Sequence, residues 1–206
     1  MARERLRHVL ERVFGARGRA FFARRTREQA ESLLDQRGLR APAARIAATL
    51  GDVVRRGPFE GLRYPRRRGD IVHLAKLLGA YECELHPAID LLVSRAPTLV
   101  VNVGAGDGYY AVGIARLLPE ADVLAVDPDP LALRACRETA ELNDVASTVR
   151  FASRLDAPEL QRVLVQPGPA GGGTRARRAL LVVDCEGYED ELLDPALAPA
   201  LAQADV

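Results

Sequence analysis

The chain has 206 residues, 48% of them hydrophobic and 28% charged, with a net charge of +1. That length and balance give one domain with a real buried core. They exclude a disordered chain, and Cys83, Cys136 and Cys185, odd in number and far apart, exclude a disulfide framework and a metal-spaced cysteine pair. No apolar run reaches bilayer length, and the N-terminus M-A-R-E-R-L-R-H-V-L lacks the apolar stretch of a signal peptide, so the expected location is cytoplasmic, with no membrane span.

The charge is unevenly distributed. Residues 1–70 hold 18 arginines against 8 acids, a net of +10, while residues 71–206 hold 11 basic and 20 acidic residues, a net of −9. Such a split can mark a nucleic-acid arm. Arginines outnumber lysines 28 to 1 over the whole chain, however, and those near the N-terminus alternate with helix-forming apolar positions. A compositional bias therefore explains the asymmetry better, and nucleic acid is not the expected partner.

In chain order, Leu6, Val9, Leu10, Val13 and Phe14 form the apolar stripe of an amphipathic helix that stops near Gly15. Thr26 and Gln29 have capping-box spacing and begin a second helix, with Leu33 and Leu34 on its buried side and Gly38 at its end. A third runs from Pro42 to about Leu50. The Gly- and Pro-broken stretch 51–69 reads as a loop that admits one short strand. Helical pattern returns at Ile71–Leu78 and at about Leu85–Arg95. From Thr98 strands are expected at 99–103, 122–126, 148–152 and 179–184, alternating with helices at 108–118, 130–142, 157–165 and 188–203. The Gly- and Arg-rich segment 166–178 is a surface loop. This pattern predicts an α/β fold, a Rossmann-like doubly wound parallel sheet of order 3-2-1-4. Residues 1–78 are expected to form a basic helical N-terminal region, and 79–206 a cofactor-binding domain. Ala204-Asp205-Val206 reads as the lead into a fifth strand, so the natural domain is expected to continue for three further strands, leaving the fourth at an open edge here.

The first strand meets Gly104, Gly106 and Gly108, with Ala105 and Asp107 between them. Glycines allow a tight turn and a close backbone approach to a ligand. The spacing is G-x-G-x-G, and the bulky Tyr109 stands where the dinucleotide fingerprint G-x-G-x-x-G/A places a small residue. The loop thus fits S-adenosylmethionine better than a pyrophosphate cofactor. Asp127, closing the second strand 23 residues after Gly104, can accept both hydroxyls of a ribose, while Asp129 with Pro130 is the better helix cap. Asp156 after the third strand suits an adenine contact or, with Glu159, a capping box, and the sequence leaves both open. Asp184, Glu186 and Glu189 follow the fourth strand. A carboxylate there can take a substrate proton, hold a cofactor amino group or bind a cation, and Glu189 is equally a solvated helix start. His8, His73 and His86 read as packing or turn residues.

Taken together, G-A-Y-E-C-E-L at 79–85, V-V-N-V-G-A-G-D-G-Y-Y at 100–110, Asp127 and D-C-E-G-Y-E at 184–189 resemble the FkbM-like branch of class I S-adenosylmethionine-dependent methyltransferases over about residues 79–194. The resemblance implies that Gly104, Gly106 and Gly108 lie along the methionine and ribose of the cofactor and that Asp127 takes the ribose. Asp184 and Glu186 then face the reacting methyl, and Glu82, Asn102, Ala105, Tyr109 and Asp156 complete the cofactor set. Asn102 departs from the family, which usually has an acid there. The implied acceptor is a hydroxyl oxygen of a sugar or secondary metabolite, since D-C-E-G stands where amide and nucleobase N-methyltransferases carry N/D-P-P-Y/F. No metal ligand is singled out, and the use of a divalent cation is open. A chain ending at the fourth strand is expected to be weak or inactive. Three other readings stand beside it: a nicotinamide-dependent oxidoreductase, disfavoured by Tyr109, a non-catalytic cofactor-binding protein, and a methyltransferase that holds RNA on its basic region. The oligomeric state is open.

Overall fold

The apolar runs after Thr98 become four parallel strands, β1 (Leu99–Val103), β2 (Asp122–Val126), β3 (Val149–Ala152) and β4 (Ala179–Val183), in the order β3-β2-β1-β4. The computed structural model describes residue 32 and residues 36–65, 71–166, 178–185 and 187–205. The expected helix at 6–14 and most of that at 26–38 lie outside the described residues. Register is in step across the sheet, Leu99 pairing with Asp122 on one side and Ala179 on the other. Every residue of β1 is buried, as a central strand covered on both faces requires.

Alternate residues of the strands feed two cores. Leu99, Val101, Val103, Leu124, Val126 and Leu181 pack on one face beneath Leu160 and Leu164 of the helix Ala157–Val165. On the other, Val100, Val123, Ala125 and Leu180 meet Val112 and Ile114 of the helix Tyr109–Leu117 and Cys136 and Ala140 of the helix Pro130–Leu142. A fully buried valine or leucine contributes about 1.5–3 kcal/mol of transfer free energy, so these two layers dominate the stability of the sheet.

The N-terminal side adds α1 (Arg40–Leu50), α2 (Ile71–Leu78) and α3 (His86–Ser94), so the helices Tyr109–Leu117, Pro130–Leu142 and Ala157–Val165 are α4, α5 and α6. Residues 51–65, after α1, double back on themselves in a loop with an antiparallel bridge, Val53 to Arg63. Its tip buries Phe59 completely, against the bare backbone of Gly113 in α4. The Asn143 side chain completes the link: it accepts from the N–H of Arg63 at 2.9 Å and donates to its carbonyl at 2.7 Å. Val54, Phe59, Leu62, Tyr64 and Leu77 share one core with Val100 and Ile114. The described residues 54–77 of the expected N-terminal region thus pack into the core of the sheet domain.

The expected helix at 188–203 is corrected. Only one turn forms, α7 (Glu189–Leu192). Pro195 has no N–H to continue the ladder, and the Asp194 carboxylate instead accepts from the N–H of Ala196 at 2.8 Å in a turn. A 3₁₀ segment, Pro199–Gln203, follows and is held to α6 by Gln161. Beside β4, Asp205 forms one parallel bridge with Leu180, its carbonyl accepting from the N–H of Leu181 at 2.8 Å. Among the described residues no helix is long and apolar enough to cross a membrane.

Candidate functional site

The carboxyl ends of the four strands carry the candidate residues on the loops that follow them. After β1 the chain turns over Gly104, Gly106 and Gly108, all at positive φ (83°, 55° and 92°). Each glycine has different surroundings. A Cβ on Gly104 would lie 1.8 Å from the carbonyl oxygen of Asp184, and one on Gly108 would meet Val112 and the Cys136 sulfur at 2.9 and 3.0 Å. A Cβ on Gly106 would meet nothing within 4 Å. The first and third are thus required by the sheet and by α5, and the middle one borders open space.

Asp127, at the end of β2 and 9% exposed, is built into this loop. One carboxylate oxygen accepts from the N–H of Gly106 at 2.8 Å and the other from the N–H of Asp129 at 2.9 Å. Asp129 is the cap of α5, accepting from Leu131 at 2.9 Å. Each oxygen of Asp127 keeps a second lone pair, so the carboxylate can brace the loop and accept ligand hydroxyls together. Asn102, 1% exposed in β1, donates to the carbonyl of Val182 at 3.2 Å, while its Oδ1 is a buried acceptor without a hydrogen-bond partner.

A second group of residues comes from the chain before β1. Glu82 has a left-handed backbone (φ 45°) that only a few non-glycine residues adopt, and its carboxylate accepts a hydrogen bond from the Tyr110 hydroxyl. Tyr81, Tyr109 and Phe59 pack edge to face, Tyr109 standing 5.2 Å from Tyr81 and 5.0 Å from Phe59. Burial, and then the Glu82 charge, pushes the Tyr109 hydroxyl up to about 12 and raises Tyr81 and Tyr110 as well. All three therefore stay neutral donors at physiological pH. Lys76 of α2 reaches into this group, its Nζ 2.7 Å from Asp107 in the glycine loop. Sequence reasoning passed over Lys76 and Asp107. The available signal was that Lys76 is the one lysine in the chain.

At the end of β4, Asp184 is exposed, and its N–H donates to the carbonyl of Val103 at 2.9 Å. Glu186 lies outside the described residues. The carboxylate of Glu189 accepts from the N–H groups of Cys185 at 3.0 Å and Gly187 at 2.7 Å. Burial opposes its charge, but these backbone donors outweigh burial and hold the carboxyl below its usual range. Burial pushes the thiols of Cys136 and Cys185 up to about 12, which leaves both protonated and poor nucleophiles. Asp156 resolves toward the helix cap: it accepts from the N–H of Glu159 at 2.8 Å while Glu159 accepts from its own N–H at 3.1 Å. His86 starts α3 with its ring against Gly57, and His73 is buried edge-on to Tyr64, so both pack as expected.

A parallel sheet of this order, covered on both faces, with a glycine loop after β1 and a carboxylate closing β2, is a Rossmann-like doubly wound fold. The family model described as ribosomal protein L11 methyltransferase (PrmA) matches residues 87–165. Among curated proteins, the ribosomal protein L11 methyltransferase of Herpetosiphon aurantiacus is 34% identical over 94 residues, 43% of this chain and 29% of that protein. The 8-amino-7-oxononanoate synthase of Methylorubrum extorquens strain PA1 is 29% identical over 195 residues, 89% of this chain and 47% of the synthase. The chain thus spans about half the length, or less, of these relatives. Among solved structures, the O-methyltransferase TomG from Streptomyces achromogenes aligns with a TM-score of 0.40 and 18% identity, over 58% of this chain and 51% of that one.

Proposed function

We propose that this chain is an S-adenosylmethionine-dependent methyltransferase domain of the FkbM-like kind, acting on a hydroxyl oxygen of a sugar or secondary metabolite. The observation that carries the reading is the joint between loop and acid, where Gly106 borders open space while its N–H is held by Asp127. That arrangement fits a nucleoside, because backbone can approach the ligand at Gly106 and the Asp127 carboxylate has lone pairs left for ribose hydroxyls. Tyr109, 3% exposed and wedged against Phe59, fills the place where a dinucleotide site needs a small residue, which argues against a nicotinamide cofactor. The synthase match names a different reaction class. The glycine loop and Asp127 favour the methyltransferase matches over it.

When bound, the cofactor supplies a methyl group on a positively charged sulfur that a hydroxyl oxygen can displace. The role of the chain is to orient and to accept a proton. In this reading Asp127 holds the ribose, Gly106 admits the ligand, and Asp184, exposed at the end of β4, takes the hydroxyl proton, with Glu186 beside it in sequence. The family-model match ends at residue 165, before β4 and its loop, so it bears on the cofactor half and carries no acceptor across. The preference for an oxygen acceptor rests on D-C-E-G at 184–187, and that for a small molecule on the FkbM-like resemblance.

Calorimetric titration with S-adenosylmethionine, S-adenosylhomocysteine and NAD tests the reading. The first two are expected to bind and NAD to give no saturable heat. Binding of NAD as tight as that of S-adenosylmethionine would overturn it.

A further inference from the structure

We propose that Lys76 sets the charge preference of the cofactor cleft, an inference that rests on the reading of that cleft as an S-adenosylmethionine site. The chain uses arginine 28 times and lysine once. At that position the chain carries instead a compact ammonium, a point charge in place of a planar guanidinium fork. Its Nζ lies 2.7 Å from Asp107, with both side chains about nine-tenths buried, at 10% and 11% exposure. It also stands 5.0 Å from the ring centroid of Tyr81 and 5.5 Å from that of Tyr109. The hydroxyl of Tyr110, 5.1 Å from Tyr109 ring to ring, points at Glu82, and the charges of Glu82, Asp184 and Asp107 all reach Tyr81. One ammonium is therefore paired with Asp107, which directly follows Gly106 in the glycine loop, and stands over two aromatic rings, one of which, Tyr81, also feels the charges of Glu82 and Asp184.

Carboxylates and ring faces both favour a cation. The sulfonium of S-adenosylmethionine is one, and the thioether left after methyl transfer is neutral, while the two ligands are otherwise alike. Lys76 offsets part of the negative field and so limits how strongly the charged form is preferred. There is a chemical reason to limit it. The positive charge disperses as the methyl leaves sulfur, so a cleft that bound the full charge too tightly would stabilise the ground state more than the transition state.

The ratio of dissociation constants, S-adenosylhomocysteine over S-adenosylmethionine, isolates this effect because bracing of the loop by Lys76 acts on both ligands alike. Calorimetry on the 206-residue chain is expected to show the ratio rising about 3- to 10-fold in Lys76→Met, falling by a similar factor in Asp107→Asn, and staying near wild type in Lys76→Arg. If both affinities fall together in Lys76→Met and the ratio moves less than about twofold, the inference is overturned and Lys76 is a brace or a contact to what the two ligands share. Should Lys76→Met fail to fold by circular dichroism, Asp107→Asn decides alone, and an unmoved ratio there overturns the inference. Wild-type protein that binds neither ligand would overturn the cofactor reading itself, and this inference with it.

Discussion

Gly104→Ala is expected to leave the chain unfolded or close to it. At φ 83° an alanine is strained whatever surrounds it, and here the new methyl would also lie 1.8 Å from the Asp184 carbonyl oxygen and 2.7 Å from its carbon. Both are backbone atoms at the end of β4, which no rotamer change can move. Relief requires parting β1 from β4, where Asp184 donates to Val103, β1 is buried throughout and β4 is buried over Ala179–Leu181. Strain and lost packing together come to about 4 kcal/mol or more, a large share of the ~5–15 kcal/mol that holds a typical domain. Gly106→Ala is the internal control. It shares the positive φ but meets no atom within 4 Å, so it should cost only about 1–2 kcal/mol in stability while placing a methyl in the ligand's path. Urea unfolding of the pair measures the contrast, and equal stabilities would show that the β1–β4 contact at Gly104 gives way more easily than this packing implies.

That contrast also marks where sequence reading stops. The G-x-G-x-G spacing locates the loop, but three glycines with one sequence signature have three different surroundings, and only the packing of β4 and α5 separates them. The strands at 99–103 and 122–126 were legible to the residue because a buried parallel strand needs a short unbroken apolar run. The helix at 130–142 was legible for a local reason too, the Asp129-Pro130 start. The helix expected at 188–203 failed because its leucines keep an approximately helical spacing through Pro195 and Pro199, and the missing N–H groups outweigh that spacing. Asp156 could not be decided locally, since one carboxylate suits a cap or a ligand and only the completed capping box shows where its oxygens point. Phe59, Tyr81 and Lys76 were the hardest to read. They come from the stretch before β1 and meet Gly113, Tyr109 and Asp107 across 28 to 54 residues of sequence, contacts that no periodicity encodes.

Asp127→Ala is expected to weaken binding of S-adenosylhomocysteine by about 1–3 kcal/mol, or roughly 5- to 150-fold, with the fold retained. Two effects contribute. Removing the carboxylate leaves the N–H groups of Gly106 and Asp129 without their acceptor, which loosens the loop, and it takes away the acceptor proposed for the ribose. A ligand that differs only at the ribose separates them. The 2′-deoxy analogue of S-adenosylhomocysteine should bind wild-type protein about tenfold more weakly than the parent, the worth of one hydrogen bond to a charged group, and the two should bind Asp127→Ala almost equally. If the variant still prefers the 2′-hydroxyl as strongly as wild type does, Asp127 acts only through Gly106, and the ribose is held by another group. A variant that keeps wild-type affinity with its fold intact would remove Asp127 from the site altogether, leaving it the brace that joins the end of β2 to the glycine loop.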